Sequence, residues 1–163
     1  MRGEDNTQPD GLSSEQLRRL VAAEASDGLA LSMDLRNNPI CSVSFNESIP
    51  CITVVWKRYA TSMQLRFVYE AIIQMLRTHR VNKILRDDTA LPTIHTEDQQ
   101  WIVQNWMPRA VRAGLRVVAN KISESYFGQM STGRIHTLAP AALTLRSFDD
   151  VEQARQWLLS FHD

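Results

Sequence analysis

Four residues in one short stretch could carry acid–base chemistry or hold a metal ion. Asp87 and Asp88 follow a predicted strand directly, and His95 and Thr96 lie at the end of the same loop. Such a loop lies beyond the carboxyl end of a parallel strand, where open α/β sheets place their ligand sites. An Asp–His pair can transfer protons or ligate a metal. Aspartates are also common in solvated turns, so a turn followed by a helix cap is the simpler interpretation, and we favour it.

A second group of candidates lies on the helix that should follow this loop. Trp101 and Trp106 could line a cavity for an apolar ligand, although buried tryptophans more often fill a core or a subunit interface. Arg109 could belong to an anion site, although a basic residue near a helix end also complements the helix dipole. The candidate binding residues are therefore Asp87, Asp88, His95, Thr96, Trp101, Trp106 and Arg109. The sequence contains no P-loop, nucleophile elbow or dinucleotide-binding motif, and we assign no catalytic residue, metal ligand or cofactor.

The composition of the chain argues against several classes of protein. The 163 residues carry 18 basic and 18 acidic side chains. This balance argues against a general nucleic-acid binder or a polybasic membrane-surface protein. No apolar run is long enough for a transmembrane helix, and the polar N-terminus lacks the pattern of a signal peptide. The two cysteines, Cys41 and Cys51, are too few for a disulfide framework, and we expect reduced thiols in a cytoplasmic protein.

The elements that position these residues begin after an N-terminal appendage. Residues 1–12 are rich in turn formers and predict a disordered tail. Residues 13–37 form a predicted helical extension, with a helix over about 14–26 whose apolar stripe consists of Leu17, Leu20 and Val21. This stripe needs cover, which either the main domain or a second subunit could supply.

Residues 38–163 predict one α/β domain. Two β-rich runs, 40–45 and 51–56, should form a hairpin across which Cys41 and Cys51 could face each other. Strands and helices then alternate, which predicts a mixed sheet of four to five strands with helices mainly on one face. The later elements are helices at 61–79, 97–113, 123–133 and after 149, and strands at 81–86, 115–122 and 143–148.

Several details of these helices can be predicted. Thr61 or Ser62 should cap the first helix, and Thr96 with Gln99 should form a capping box on the second. Pro108 should kink or break that second helix. The short helix at 123–133 should bury the apolar side formed by three residues, and Asp149 should cap the last helix. Those three residues are Tyr126, Phe127 and Met130.

Several local motifs stand out beside the order of elements: the runs 83–87, 97–102 and 147–158, the motif Trp106-x-Pro108-Arg109-Ala110, and Gly114-Leu115. Together they resemble the STAS domain, which is named after sulfate transporters and anti-sigma-factor antagonists. The chain is similar to small uncharacterised bacterial STAS-like proteins over about residues 38–160.

The resemblance implies a mixed sheet with helices mainly on one side and a role in protein regulation. Anti-sigma antagonists carry a phosphorylatable serine in a motif like Asp-Ser-Ser-Gly, at the start of the helix after the third strand. Here that region reads Thr-Ile-His-Thr-Glu-Asp over residues 93–98, and the motif is absent. Thr96 is the nearest hydroxyl, but Glu97 and Asp98 would repel an added phosphate.

We therefore expect a non-enzymatic STAS-like protein-interaction module that is homodimeric and, by resemblance, bacterial. A partner would dock on the sheet edge or on the helix at 96–113. The alternative is a carrier of a small molecule or lipid, by analogy with CRAL-TRIO domains, and an enzyme built on Asp87, Asp88 and His95 comes third. A closed cavity of about 300 Å³ or more would favour the carrier. A filled core with an exposed apolar patch would favour the interaction module.

Overall fold

The computed structural model describes residues 35–162 and contains a five-stranded mixed sheet. The strands lie in the order β1-β2-β3-β4-β5; β1 and β2 are antiparallel, and the later pairs are parallel. The α/β fold, the mixed sheet and the opening hairpin are thus confirmed. The strands are β1 (Cys41–Asn46), β2 (Cys51–Trp56), β3 (Lys83–Asp87), β4 (Val117–Lys121) and β5 (Thr144–Phe148).

The connections between the strands are helical. The helices are α1 (Ser62–His79), α2 (Thr96–Trp101), α3 (Met107–Arg112), α4 (Tyr126–Leu138) and α5 (Val151–Leu159), with a π-helical segment (Ile102–Trp106) between α2 and α3. None of the helices within residues 35–162 is long and apolar enough to cross a membrane. The predicted tail at 1–12 and helix at 14–26 lie outside the described residues.

The hairpin and α1 follow their local sequence signals. The Asn46 side chain accepts hydrogen bonds from the backbone N–H groups of Ser48 and Ile49, and so closes the turn between β1 and β2. At the start of α1, Thr61 accepts a bond from Gln64 N–H while the Gln64 side chain accepts from Thr61 N–H. This reciprocal capping box confirms Thr61 as the cap. The helix ends at Arg80, which adopts the left-handed conformation with φ 53°.

The two faces of the sheet carry two apolar clusters of unequal size. Residues such as Ile84 and Val118 face the main core, which α1 to α4 cover. The opposite face carries a smaller cluster in which Leu85 and Ala119 pack against Leu158 of α5. Alternation along each strand sends neighbouring side chains to opposite faces. The helices therefore lie mainly on one face, as predicted, with α5 alone on the other.

The predicted break at Pro108 is present as a change of helix type. Met107 N–H donates to Ile102 C=O, five residues earlier, where an α-helix would use the residue four earlier. Pro108 has no N–H to donate and lies in the first turn of α3, where that donor is not needed.

Other predictions of local structure are wrong. Thr96 is the first residue of α2 and caps nothing; His95 stands at the cap position, and the Gln99 amide donates to Ile94 C=O at 2.7 Å. Asp150, not Asp149, caps α5 by accepting from Glu152 N–H at 3.1 Å. In both cases the helix starts one residue away from the expected place, and that shift changes which side chain can reach a free N–H.

The two cysteines do not face each other. Cys41 pairs with Trp56 at one end of the hairpin, and Cys51 pairs with Asn46 at the other. Both are buried free thiols. Burial raises the pKa of each thiol, so the reactive thiolate is disfavoured.

Candidate functional site

Asp88 is sealed inside the protein by an ion pair with Arg86. Arg86 Nη2 lies 3.1 Å from both carboxylate oxygens, and its Nη1 donates to the Tyr69 hydroxyl at 3.0 Å. The Asn120 amide, oriented so that its hydrogen bonds are satisfied, donates to Asp88 Oδ2 at 2.9 Å. Burial raises the pKa of Asp88, and the adjacent guanidinium opposes that effect. Asp88 is fully buried, so it joins β3, β4 and α1 and is out of reach of a ligand.

The predicted Asp–His pair does not form. Asp87 Oδ1 accepts from the Thr89 backbone N–H at 3.0 Å and from its hydroxyl at 2.5 Å, which makes an Asx turn. His95 is exposed, and its Nε2 lies 3.1 Å from the Tyr59 hydroxyl. Within residues 35–162 no group of three or more His, Cys, Asp or Glu side chains could hold a metal ion. The Asx turn at Asp87 agrees with the simpler interpretation, whereas Asp88 is buried rather than solvated and Thr96 does not cap the helix that follows.

Trp101 and Arg109 contact charged side chains of α1, namely Arg66 and Glu70. Arg109 forms a bidentate ion pair with Glu70, with Nη1 and Oε2 2.9 Å apart. The guanidinium carbons of Arg66 and Arg109 lie 5.1 and 5.9 Å from the centroid of the buried Trp101 ring. Arg109 is therefore neutralised by a carboxylate, which does not suit an anion site.

Sequence reasoning missed Asp98, which forms an ion pair with Arg66. Asp98 is 2% exposed; it accepts from Arg66 Nε at 3.1 Å and from the Ser62 hydroxyl at 2.5 Å. Its position beside Glu97 in a predicted first turn suggested only a favourable charge near the helix dipole. The pairing across 32 residues depends on how α1 packs beside α2, and no local pattern signals it.

Trp106 fills the core. Its indole Nε1 donates to Tyr69 C=O at 2.6 Å, and the two rings meet edge to face with centroids 4.8 Å apart. The interior cavity beside it, which Trp56 and Met107 also line, has a volume of about 20 Å³. This is room for about one water molecule and far below what an apolar ligand needs.

His136 faces the same interior cavity from α4. Burial, together with the smaller effect of the positive charge of Arg86, lowers the pKa of its imidazole to about 4. The ring is therefore neutral at physiological pH. It contributes packing rather than charge to the core.

The outer side of α4 is apolar, which reverses the prediction for this helix. Tyr126 and Phe127 are 69% and 68% exposed, and Leu138 and Met130 are 65% and 38% exposed. We call these four residues the α4 patch. Large apolar side chains exposed on one element mark binding sites in soluble proteins.

The buried side of α4 contains Ile135 and three small or polar residues, Gly128, Ser131 and Thr132. Gly128 fits where a Cβ atom would lie 2.4 Å from Ser123 Oγ and 2.6 Å from Leu91 C=O. The Ser131 hydroxyl lies 3.0 Å from the Thr93 hydroxyl and accepts from Ile94 N–H at 3.2 Å. Because these side chains bind the loop before α2, the large apolar side chains of α4 turn outward.

An open groove lies next to the α4 patch. One wall is α4, and the other is formed by α2 together with the π-helical segment. Its volume is about 590 Å³. Apolar side chains from both walls line it, namely Val103, Met130 and Leu138. Thr96 also lines this groove, and it is the one candidate residue from the sequence that lies there. We call this feature the α2–α4 groove.

No protein-family model matches this chain, and no curated protein matches it. The functional inference therefore depends on the chain's own geometry. That geometry separates the candidates into buried or ion-paired residues (Asp88, Trp101, Trp106, Arg109), turn and loop residues (Asp87, His95), and a groove residue (Thr96).

Proposed function

We propose that the protein is a non-enzymatic STAS-like module that binds a protein partner through the α4 patch. The observation that carries this proposal is the outward orientation of Tyr126 and Phe127, whose rings contact each other edge to face with centroids 5.7 Å apart. Aromatic side chains at this exposure are the usual anchors of protein interfaces. We also propose that the protein acts in a bacterial cytoplasm, on the basis of the resemblance. We propose that it is a homodimer, because its neutral net charge gives little repulsion between copies.

The engagement of the polar candidates favours binding over catalysis. A general base must reach a substrate proton, yet Asp88 is enclosed by Arg86 and Asn120, and Asp87 holds Thr89. Arg109 is similarly engaged by Glu70. These groups stabilise the fold, and the apolar surface on α4 is left as the feature that packing does not explain.

The filled core speaks against the alternative of a lipid or small-molecule carrier. Such a carrier encloses most of its ligand's surface. The interior cavity holds about 20 Å³, and the larger α2–α4 groove is open to solvent. Its open shape suits a protein segment better than a free apolar molecule.

Site-specific photo-crosslinking in the protein's own host tests the proposal. A photoreactive phenylalanine analogue replaces Phe127 in one variant and Gln153 in the control. Gln153 is exposed on α5, across the sheet from α4. We expect crosslinks to one protein, or to a second copy, from position 127 alone. The partner, once identified by mass and purified, should bind the wild type but not Phe127→Glu.

Two outcomes would contradict the proposal. One is equal crosslinking from positions 127 and 153, which would show collisions rather than a specific surface. The other is a purified partner that binds Phe127→Glu as tightly as the wild type, which would place the interface elsewhere.

A further inference from the structure

The α2–α4 groove is large enough to bind part of a helix, with a volume of about 590 Å³. Its walls are helices on both sides, and apolar side chains from each wall face it. Gly133 lies in the α4 wall, and a Cβ atom built there meets no atom within 4 Å. The groove is therefore open at this point of the α4 wall.

The chain contains a matching segment outside the described residues. The sequence predicts an amphipathic helix over 14–26 with its stripe at Leu17, Leu20 and Val21. These positions have the i, i+3, i+4 spacing by which helices bind apolar grooves. Glu24 comes at the next turn on the same side.

The charge at the groove fits that segment. Arg134 lines the groove, and among the described residues it makes no ion pair. A carboxylate next to the apolar stripe of the segment would complement it. An exposed pair of this kind contributes little to affinity but favours one orientation of the helix.

The length of the chain allows the segment to reach the groove. Leu35, where the described residues begin, is buried beside β1, and its C=O accepts from Val43 N–H at 3.1 Å. Ile135 of α4 packs over β4 and β5 with Val118 and Leu145. This is three to four strand spacings away, about 14–19 Å. Eight residues, 27–34, separate the segment from Leu35 and are long enough to span up to about 26–29 Å.

We propose that residues 14–26 of this chain dock intramolecularly in the α2–α4 groove, with the Leu17–Leu20–Val21 stripe against Val103, Met130 and Leu138. The tether keeps the segment at a high effective concentration beside the groove. The docked segment covers Met130 and Leu138 of the α4 patch, whereas Tyr126 and Phe127 do not line the groove and stay free for a partner. The inference therefore does not depend on the proposed function.

Hydrogen exchange of the full-length chain, measured by mass spectrometry, tests this proposal. The variants are Leu20→Glu, which places a charge in the stripe, and its control Ala22→Glu, which makes the same charge change on the opposite side of the predicted helix. In the wild type and the control, we expect the amides of residues 14–26 to exchange slowly at both low and high protein concentration. In Leu20→Glu they should exchange at least about tenfold faster, the change produced by losing about 1.4 kcal/mol of docking free energy.

A variant of the groove supplies the reciprocal evidence. Gly133→Trp should release residues 14–26 while the amides of β3 and β4 stay protected, since a side chain at 133 meets open space. Should that variant unfold, Met130→Glu makes the same test from an exposed position. The proposal is overturned if residues 14–26 exchange at unfolded rates in the wild type, or if they stay protected in the folded groove variant. Protection that grows with protein concentration would also overturn it, because a second copy would then supply the segment.

Discussion

Arg86 and Asp88 form a bidentate ion pair at the end of the central strand β3, closed off from solvent by α1 and β4. The Asp88 carboxylate is fully buried, and the Arg86 side chain is nearly so. A third partner, the Tyr69 hydroxyl, occupies the remaining side of the guanidinium. The pair is therefore part of the core, and its effect on stability can be separated from any role in binding.

Breaking this pair from one side should be strongly destabilising. Asp88→Ala leaves the guanidinium buried without its carboxylate, and we expect a loss of about 3–5 kcal/mol in the free energy of unfolding. Arg86→Met together with Asp88→Leu should cost less than Asp88→Ala alone, because no charge is then left unpaired. Urea denaturation followed by circular dichroism measures both.

The exposed pair of Arg155 and Glu152 provides the control. Their charged atoms lie 3.7 Å apart on the surface of α5. Arg155→Met should change the free energy of unfolding by less than about 1 kcal/mol. Equal losses for Asp88→Ala and Arg155→Met would show that the buried pair has no special weight in the fold.

Two glycines of α4 should respond in opposite ways to the same substitution. Gly128→Ala forces a Cβ against Ser123 and the Leu91 carbonyl, and we expect a loss of about 1–3 kcal/mol from overpacking. Gly133→Ala adds a methyl group in open space and should stabilise the helix by up to about 1 kcal/mol. Thermal and chemical denaturation of the two variants tests this, and a loss at both positions would mean that α4 packs differently.

Thr61 and Thr96 offer a second matched pair. Thr61 caps α1 by accepting from Gln64 N–H, so Thr61→Ala should cost about 1 kcal/mol. Thr96 is exposed and caps nothing, so Thr96→Ala should stay within about 0.5 kcal/mol of the wild type. The denaturation midpoints of the two variants test both expectations. A clear loss for Thr96→Ala would restore the capping box that the sequence suggested.

The sequence predicted those features that depend on neighbours along the chain. Alternating apolar residues, the capping box at Thr61 and the position of Pro108 each act within a few residues, and the structure has the corresponding strands, helix start and π turn. The one-residue errors at the caps of α2 and α5 arise because several adjacent polar residues could each serve as cap. Tertiary packing then selects one of them.

The sequence could not predict features that depend on distant partners. Tyr126, Phe127 and Met130 have the pattern of a buried side, yet the close approach of Gly128 to Leu91 turns α4 the other way. The pattern of these apolar residues thus predicted that they are buried in the core, whereas in the structure they are exposed on the surface. The pairing of Arg66 with Asp98 was hidden for the same reason, since it joins two helices through tertiary packing.

We predict that the protein is a homodimer whose interface buries more than about 1,000 Å² in total. Zero net charge gives little repulsion between copies, and the partner that binds the α4 patch is then the second copy. Static light scattering at micromolar concentration should give twice the mass of the chain, and Phe127→Glu should give the monomer mass. A monomeric wild type would contradict the prediction, as would a dimer that Phe127→Glu leaves intact.

His136 should make the stability of the protein fall in mildly acidic solution. Its pKa is about 4 in the folded protein against 6.5 when free, because burial and the charge of Arg86 disfavour the imidazolium. Above pH 6.5 the ring is neutral in both states, and its contribution to stability is fully present. Between pH 6.5 and 4 the unfolded chain binds the proton more readily, so stability is lost, by at most about 3 kcal/mol at 1.4 kcal/mol per pKa unit.

Urea denaturation across this pH range measures the effect against two variants. His136→Gln removes the titrating group, so its stability should change less between pH 6.5 and 4 than that of the wild type. His95→Gln is the control, because His95 is exposed on a loop, and its profile should follow the wild type. Parallel loss of stability in the wild type and His136→Gln would show that groups other than His136 govern the acid response.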